Sequence, residues 1–262
     1  MFMEEIISRI WEPVSVQYLD AYHRVNNMTA NDLYEEILRE MQDINLVDLP
    51  NQRIKATSLV TSGCPHCIKD GRFLGCSFCD FYSTHAPGMA KLNALRQKDA
   101  GLYAKVISFG FEKQRGVLPE PALVEYFSGH DTLNPQELTD EVYEEIDGKG
   151  EIFKHRAFSC FFETRATNIT AERLNRWKSK IGSKISKRVE VVFGIEVANE
   201  WIRNHWLNKD ITNRDILTAI QEIHKAGFHS GATILIGIPG LSEAQSLGLF
   251  KETFLSLCDT NL

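Results

Sequence analysis

Five apolar, β-branched runs punctuate this chain, at 54–62, 122–128, 157–163, 189–196 and 229–236, with amphipathic helical patterns between most of them. Strands joined through helices cannot pair as hairpins. They need crossover connections, and the result is a parallel sheet. The fold class expected is therefore α/β. The helical stretches carry their own start signals. Thr29 with Asp32 opens a helix whose apolar positions Leu33, Ile37, Leu38 and Met41 share one face. Asn134, followed by Pro135 and Glu137, reads as a capping box. Thr170, Thr212 with Asp215, and Ser242 with Gln245 read as further helix starts, and Gly227 as a helix stop.

Residues 1–50 read as an acidic helical segment, with two or three helices over 3–46 and a closing turn at 48–53. Residues 51–262 read as the α/β body, long enough for one large domain. Charge follows this division. The first 50 residues hold ten acids and three bases, and the rest hold 25 acids and 26 bases, for a net charge of −6. That distribution gives no basic footprint for nucleic acid. The first residues, MFMEEIISRIWEP, are acidic where a signal peptide is basic, and no apolar run is long enough to span a bilayer. A cytoplasmic protein without a membrane partner is expected.

Each apolar run ends in a glycine or polar motif: SGC at 62–64, SGHD at 128–131, ETR at 163–165, GIE at 194–196 and GIPG at 237–240. In a β/α barrel such ends share one rim, and chemistry sits there. The first of them leads into two CxxC pairs, Cys64/Cys67 and Cys76/Cys79, eight residues apart. In a reducing compartment such a cluster points to metal rather than disulfides. Four thiolates suit a closed, structural zinc site. Three suit an iron–sulfur cluster with one open iron. The cysteines alone favour neither. Phe78, inside the second pair, could cover a cluster or an adenine.

On these residues the chain resembles the radical S-adenosylmethionine (SAM) superfamily, whose signature is three cysteines after the first strand with an aromatic residue before the last. Cys76, Phe78 and Cys79 fit it closely, whereas the first spacing is longer than usual. Longer first spacings occur in the branch of the elongator catalytic subunit. ETR at 163–165 and the block Gly194 to Thr212 are similar to runs in that branch, and the phrasing is nearest to the group around the radical SAM partner of archaeosine synthase. The resemblance covers roughly residues 55–257.

The resemblance implies a partial (β/α) barrel of parallel strands behind the N-terminal helical segment. It implies a [4Fe-4S] cluster on Cys64, Cys76 and Cys79, with Cys67 as the competitor of Cys64. S-adenosylmethionine would be the second cofactor. Asp131 and the carbonyls of Ser128 and Gly129 would hold its amino group, and Arg165 its carboxylate. Glu196 would hold its ribose, the strand around Ile236 would back its adenine, and Glu163 is a further polar candidate. The activity implied is a radical-based transferase, lyase or oxidoreductase, fed by an external one-electron reductant of flavodoxin or ferredoxin type; the near-neutral charge of the body favours a small metabolite as substrate, while the resemblance favours RNA. An RNA-modifying enzyme and a zinc-stapled α/β binding protein are the alternatives. Only five strand–helix units are legible, so a barrel cut short after the fifth is expected. His130 is expected to be an ordinary turn residue and Cys160 a small buried hydrophobe. Trp177, Trp201 and Trp206 are expected to pack in the core or to anchor helix surfaces rather than to stack on a cofactor. The charged run Lys178 to Arg188 is expected in a solvated loop, or as a patch for an anionic partner such as RNA.

Overall fold

The computed structural model describes residues 2–42, 54–58, 60–69, 72–79, 81–116, 124–154, 156–258 and 260. The turn expected at 48–53 lies outside them. In chain order the elements are α1 (Phe2–Asn26), α2 (Ala30–Gln42), β1 (Ile54–Ser58), β2 (Ile68–Lys69), β3 (Arg72–Phe73), α3 (Phe81–Lys98), α4 (Ala100–Gly116), β4 (Val124–Ser128), α5 (Asp140–Asp147), β5 (Ala157–Thr164), α6 (Ala171–Trp177), α7 (Ser183–Ile185), β6 (Ser186–Glu196), α8 (Asn213–Lys225), β7 (His229–Ile234) and α9 (Glu243–Cys258). Among the described residues no helix is long and apolar enough to cross a membrane.

The protein is α/β. Five strands form one sheet in the order β1-β4-β5-β6-β7, and every pair is parallel. Spatial order thus follows chain order. All five expected strands are present. Alternation along the strands separates the two faces of the sheet. Phe127, Phe162, Val191, Phe193 and Ile195 point to one face and are at most 1% exposed. They meet Tyr103 and Phe111 of α4, Val142 and Ile146 of α5, Trp177 of α6, and Ile220 and Ile223 of α8 in one core. Tyr126, Phe161, Glu163 and Val192 point the other way and are only half-buried. Trp177 centres the covered face, 4.3 Å from the Phe162 ring and 6.0 Å from Phe127. Gly182 follows it because a Cβ there would strike the indole.

Three of the expected caps are seen in full. Thr212 and Asp215 form a reciprocal capping box, Thr170 caps α6, and Ser242 with Gln245 caps α9. Thr29 likewise accepts from the Asp32 N–H at 3.1 Å. Gly227, with φ +75°, follows α8 as expected. The Asn134 cap is corrected: residues 135–138 form turns, and α5 starts six residues later, capped by Thr139. Glu137 does not reach back to the Asn134 N–H, because its carboxylate is taken by the backbone N–H groups of His130 and Asp131.

The run Lys178 to Arg188 is also corrected. It is not a loop but a π-helical turn, α7 and the start of β6. Lys180 and Lys184 pair with acids of α5, and Lys178 bonds the Ala226 carbonyl, so these charges already have partners. Of the three tryptophans, Trp177 is core, whereas Trp201 is 60% exposed. Trp206 braces the GIPG turn by donating to the Pro239 carbonyl at 2.8 Å.

The acidic segment packs into the body rather than standing apart. Val25, Leu33, Ile37 and Met41 enter the main core. Ile7, Trp11, Val14 and Tyr18 of α1 form a second core with Cys64, Cys67 and Phe73. Trp11 and Tyr18 stand 6.2 Å and 5.4 Å from the Phe73 ring, and Ser15 Oγ accepts the Phe73 N–H at 3.0 Å. Helix α1 therefore backs the cysteine segment. Trp11→Ala should lower unfolding stability by about 3–5 kcal/mol in urea titration and speed alkylation of Cys67 in the native protein.

Candidate functional site

The cysteine segment leaves the sheet at the carboxyl end of β1. Gly63, at φ +84°, turns the chain, and Cys64 follows. Each CxxC pair closes on itself: Cys67 N–H donates to the Cys64 carbonyl at 3.0 Å, and Cys79 N–H to that of Cys76 at 3.1 Å. The two-residue strands β2 and β3 form an antiparallel hairpin between the pairs. Cys64, Cys67 and Cys76 are buried, and Cys79 is half-buried. Burial pushes the Cys67 thiol well above its ordinary range, and hydrogen bonding with the Cys64 and Cys79 thiols acts in the same direction. Burial also raises the Cys76 thiol, against the pull of Lys209 and Arg165, and it senses Cys79 and Cys64. The four thiols thus form one electrostatic neighbourhood. Among the described residues no three His, Cys, Asp or Glu side chains stand as a ready-made ion-binding group. Cys67 is tightly packed: a Cβ on Gly75 would collide with its sulfur.

The connection from β6 to α8 clamps this segment. Asn208 donates to the Leu74 and Gly75 carbonyls at 2.6 and 2.9 Å, and its own carbonyl bonds His66 Nε2 at 2.8 Å. Ser77 binds the Leu207 and Trp206 carbonyls. Glu196, Asn208 and Asp210 have φ of 64°, 54° and 54°, the left-handed region that non-glycine residues avoid. Such backbone strain costs of order 1–3 kcal/mol per residue and persists where surrounding contacts enforce it. It is concentrated at the cysteine clamp.

Glu196 is buried and pairs with Lys209 at 2.5 Å. The Lys209 ammonium stands 5.5 Å from the Phe78 ring. Phe78 itself packs against a small apolar cluster that includes Leu207, Leu235 and Ile238. The sequence expected Glu196 to be open to a ribose; in the structure it faces Lys209. Ile236 is 68% exposed just beyond β7.

Asp131 is fully buried and accepts four hydrogen bonds. Oδ1 takes Thr164 Oγ1 and the Arg165 N–H, and Oδ2 takes the Asn134 and Asn168 amides. It ties the ends of β4 and β5 together. Arg165 reaches across to the carbonyls of Lys209 and Asp210. Glu163 is half-buried on the open face, its carbonyl accepting the Thr132 N–H at 3.1 Å. Gly129 leaves no room for a Cβ beside the Glu137 carboxylate, and the Ser128 backbone closes β4 beside it.

Glu137, which the sequence offered only as part of a helix cap, and Lys209, which it did not single out, join the site residues. Glu137, with no exposure, accepts the His130 and Asp131 N–H groups at 2.6 Å each, the Thr61 hydroxyl, and His130 Nδ1 at 3.1 Å. His130 is therefore anchored, not an idle turn residue. A cavity of about 520 Å³ opens between this loop and the cysteine segment, lined in part by His66, Asp131, Gln136, Arg165, Asn168 and Asp210. That volume suits a small-molecule ligand.

Burial works against the His130 cation, but the bond to Glu137 outweighs it and holds the imidazole above its ordinary value of 6.5. Burial works against the Glu137 anion as well, and the bond from His130 overrides it, holding the carboxyl below 4.5. The His130 contribution is complete below pH 6.5 and fades as pH rises through the raised folded value. That of Glu137 is complete above pH 4.5 and fades as pH falls through the lowered one. Urea midpoints should therefore peak between these limits, and His130→Gln should remove the decline on the alkaline side. Asp131→Ala, which leaves buried donors unmatched, should cost on the order of 3 kcal/mol in the same titration.

No protein family model matches the chain, and no curated protein matches it either.

Proposed function

We propose that this chain is a radical S-adenosylmethionine enzyme on an open (β/α) barrel, with a [4Fe-4S] cluster on Cys64, Cys76 and Cys79. The observation that carries the reading is the position of the thiols. Cys64 and Cys67 follow the first strand and are buried against α1, Cys79 is half-buried beside them, and Cys76 lies beside two cations, Lys209 of the β6–α8 connection and Arg165 at the end of β5. The sheet order supports the barrel. Strands that follow chain order, with a helix-covered core on one face and half-buried side chains on the other among the described residues, suit a sheet that curls toward closure with the second face as its lumen.

The donor set fits the cluster. Thiolates suit iron, nearby cations favour the thiolate form, and burial excludes water. Cys64 emerges from the strand end, while Cys67 packs against Gly75 and its thiol bonds those of Cys64 and Cys79, which keeps it the competitor of Cys64. A cluster held by Cys64, Cys76 and Cys79 would supply one electron, drawn from a flavodoxin- or ferredoxin-type donor, for reductive cleavage of an S–C bond of S-adenosylmethionine. The protein binds, orients and shields. Glu137 and Asp131 fix the strand-end loops, Arg165 braces the β6–α8 connection, and Phe78 roofs the gap between that connection and the cysteines. The half-buried face carrying Tyr126, Phe161 and Glu163 would receive a small metabolite.

One feature favours a second reading. Two self-closed CxxC turns joined by a short hairpin also describe a four-thiolate zinc staple. Anaerobic reconstitution separates the two. The cluster reading expects about four irons and four sulfides per chain, lost in Cys64→Ala, Cys76→Ala and Cys79→Ala and kept in Cys67→Ala. One tightly held zinc, no iron uptake and equal dependence on all four cysteines would establish the staple instead.

A further inference from the structure

Strand register places four side chains in one row across the half-buried face of the sheet. Tyr126 of β4 pairs with Phe161 of β5, Phe161 with Glu190 of β6, and Glu190 with His229 of β7. Neighbouring strands lie about 4.8 Å apart, so each of these side chains borders the next. The Tyr126 and Phe161 rings stand 4.9 Å apart, tilted by 44°. The adjacent positions Phe127, Phe162 and Val191 fill the helix-covered core, so alternation sets the row on the other face.

Glu190 is half-buried, and its carboxylate makes no hydrogen bond or ion pair among the described residues. It lies over Gly231, where a Cβ would overlap the carboxylate and crowd Val192. A glycine weakens a strand and gives it nothing to pack. Here it leaves the space in which the carboxylate rests. Gly231 pairs with Val192, one row nearer the rim, so Glu190 leans toward the end of the sheet that carries the cysteines. Glu163 stands in that nearer row, beside Val192. The remaining titratable groups of β5, β6 and β7 on this face are His229 and Arg188, the latter one row farther from the rim, and neither forms an ion pair with Glu190.

A carboxylate without a partner, bordered by two aromatic rings, suits a cation that brings an apolar body with it. The carboxylate accepts a charge-assisted hydrogen bond, and the ring faces attract the same cation. An anionic group would instead meet Glu190 and Glu163 together. We propose that this row is the substrate subsite of the lumen and that it takes the protonated primary amine of a small metabolite. Glu190 is the counter-ion, and Tyr126 and Phe161 are the wall beside it. The inference deepens the radical reading above and rests on it, since that reading sends the substrate to this face. With its amine held at Glu190, the rest of the metabolite extends past Glu163 toward the rim.

The test titrates the reconstituted protein with three probes of similar size, phenethylamine, phenethyl alcohol and hydrocinnamate, followed by ligand-observed NMR. Wild-type protein should bind the amine about tenfold more tightly than the neutral alcohol, and the anion most weakly. Glu190→Gln should erase the preference for the amine. Gly231→Ala keeps every charge but takes the space of the carboxylate, and it should lower the preference too, with melting temperature as the control for folding. Phe161→Leu should weaken the amine more than the alcohol. A preference that survives Glu190→Gln or Gly231→Ala, that is lost in Glu163→Gln instead, or that is absent from wild-type protein overturns the assignment. Iron content and S-adenosylmethionine binding, measured on the same samples, separate the two readings. No amine preference with both intact overturns the subsite and leaves the radical reading standing. Zinc uptake without iron overturns the radical reading, and the substrate assignment with it.

Discussion

The rim of the sheet depends on two carboxylates that solvent never reaches. Glu137 gathers Thr61 from beyond β1 and the His130 and Asp131 amides from beyond β4. Asp131 then gathers Thr164, Arg165 and Asn168 from the end of β5. Three loops far apart in sequence are thereby fixed by charge-assisted bonds in a low-dielectric setting, where each counts for more than in water. Without them the ends of β1, β4 and β5 would share a rim but no geometry.

On that frame the cysteine segment is gripped from two sides. Helix α1 presses Trp11 and Tyr18 onto Phe73 behind the hairpin, and the β6–α8 connection holds it in front through Asn208 and Ser77. The first grip is apolar and keeps water from the thiols. The second is polar, strained and specific, and it brings Lys209 to Cys76. Strain at Glu196, Asn208 and Asp210 is stable only because both neighbours of the turn are anchored. The same anchoring makes the lysine a fixed point rather than a flexible arm.

The comparison of sequence with structure is instructive at particular residues. Thr212 with Asp215 and Ser242 with Gln245 were readable because a capping box is local: all its partners lie within four residues. Asn134 with Glu137 has the same spelling and a different outcome, because long-range amides at His130 and Asp131 compete for the carboxylate. Lys180 and Lys184 looked solvated because their partners, Glu144 and Asp147, lie more than 30 residues away in sequence. His130 looked idle for the same reason.

The sequence by itself determined the strands, the starts of α2, α6, α8 and α9, the parallel pairing and the clustering of four cysteines after the first strand. These follow from periodicity, local hydrogen bonding and chain connectivity, all short-range properties. Only the tertiary structure decided that the acidic helix backs the cysteines and that Asp131 ties strand ends. Only there does Lys209 become a buried cation, paired with Glu196 beside Cys76. Burial and pairing of charged groups depend on neighbours supplied from distant parts of the chain, and no local pattern encodes who those neighbours are.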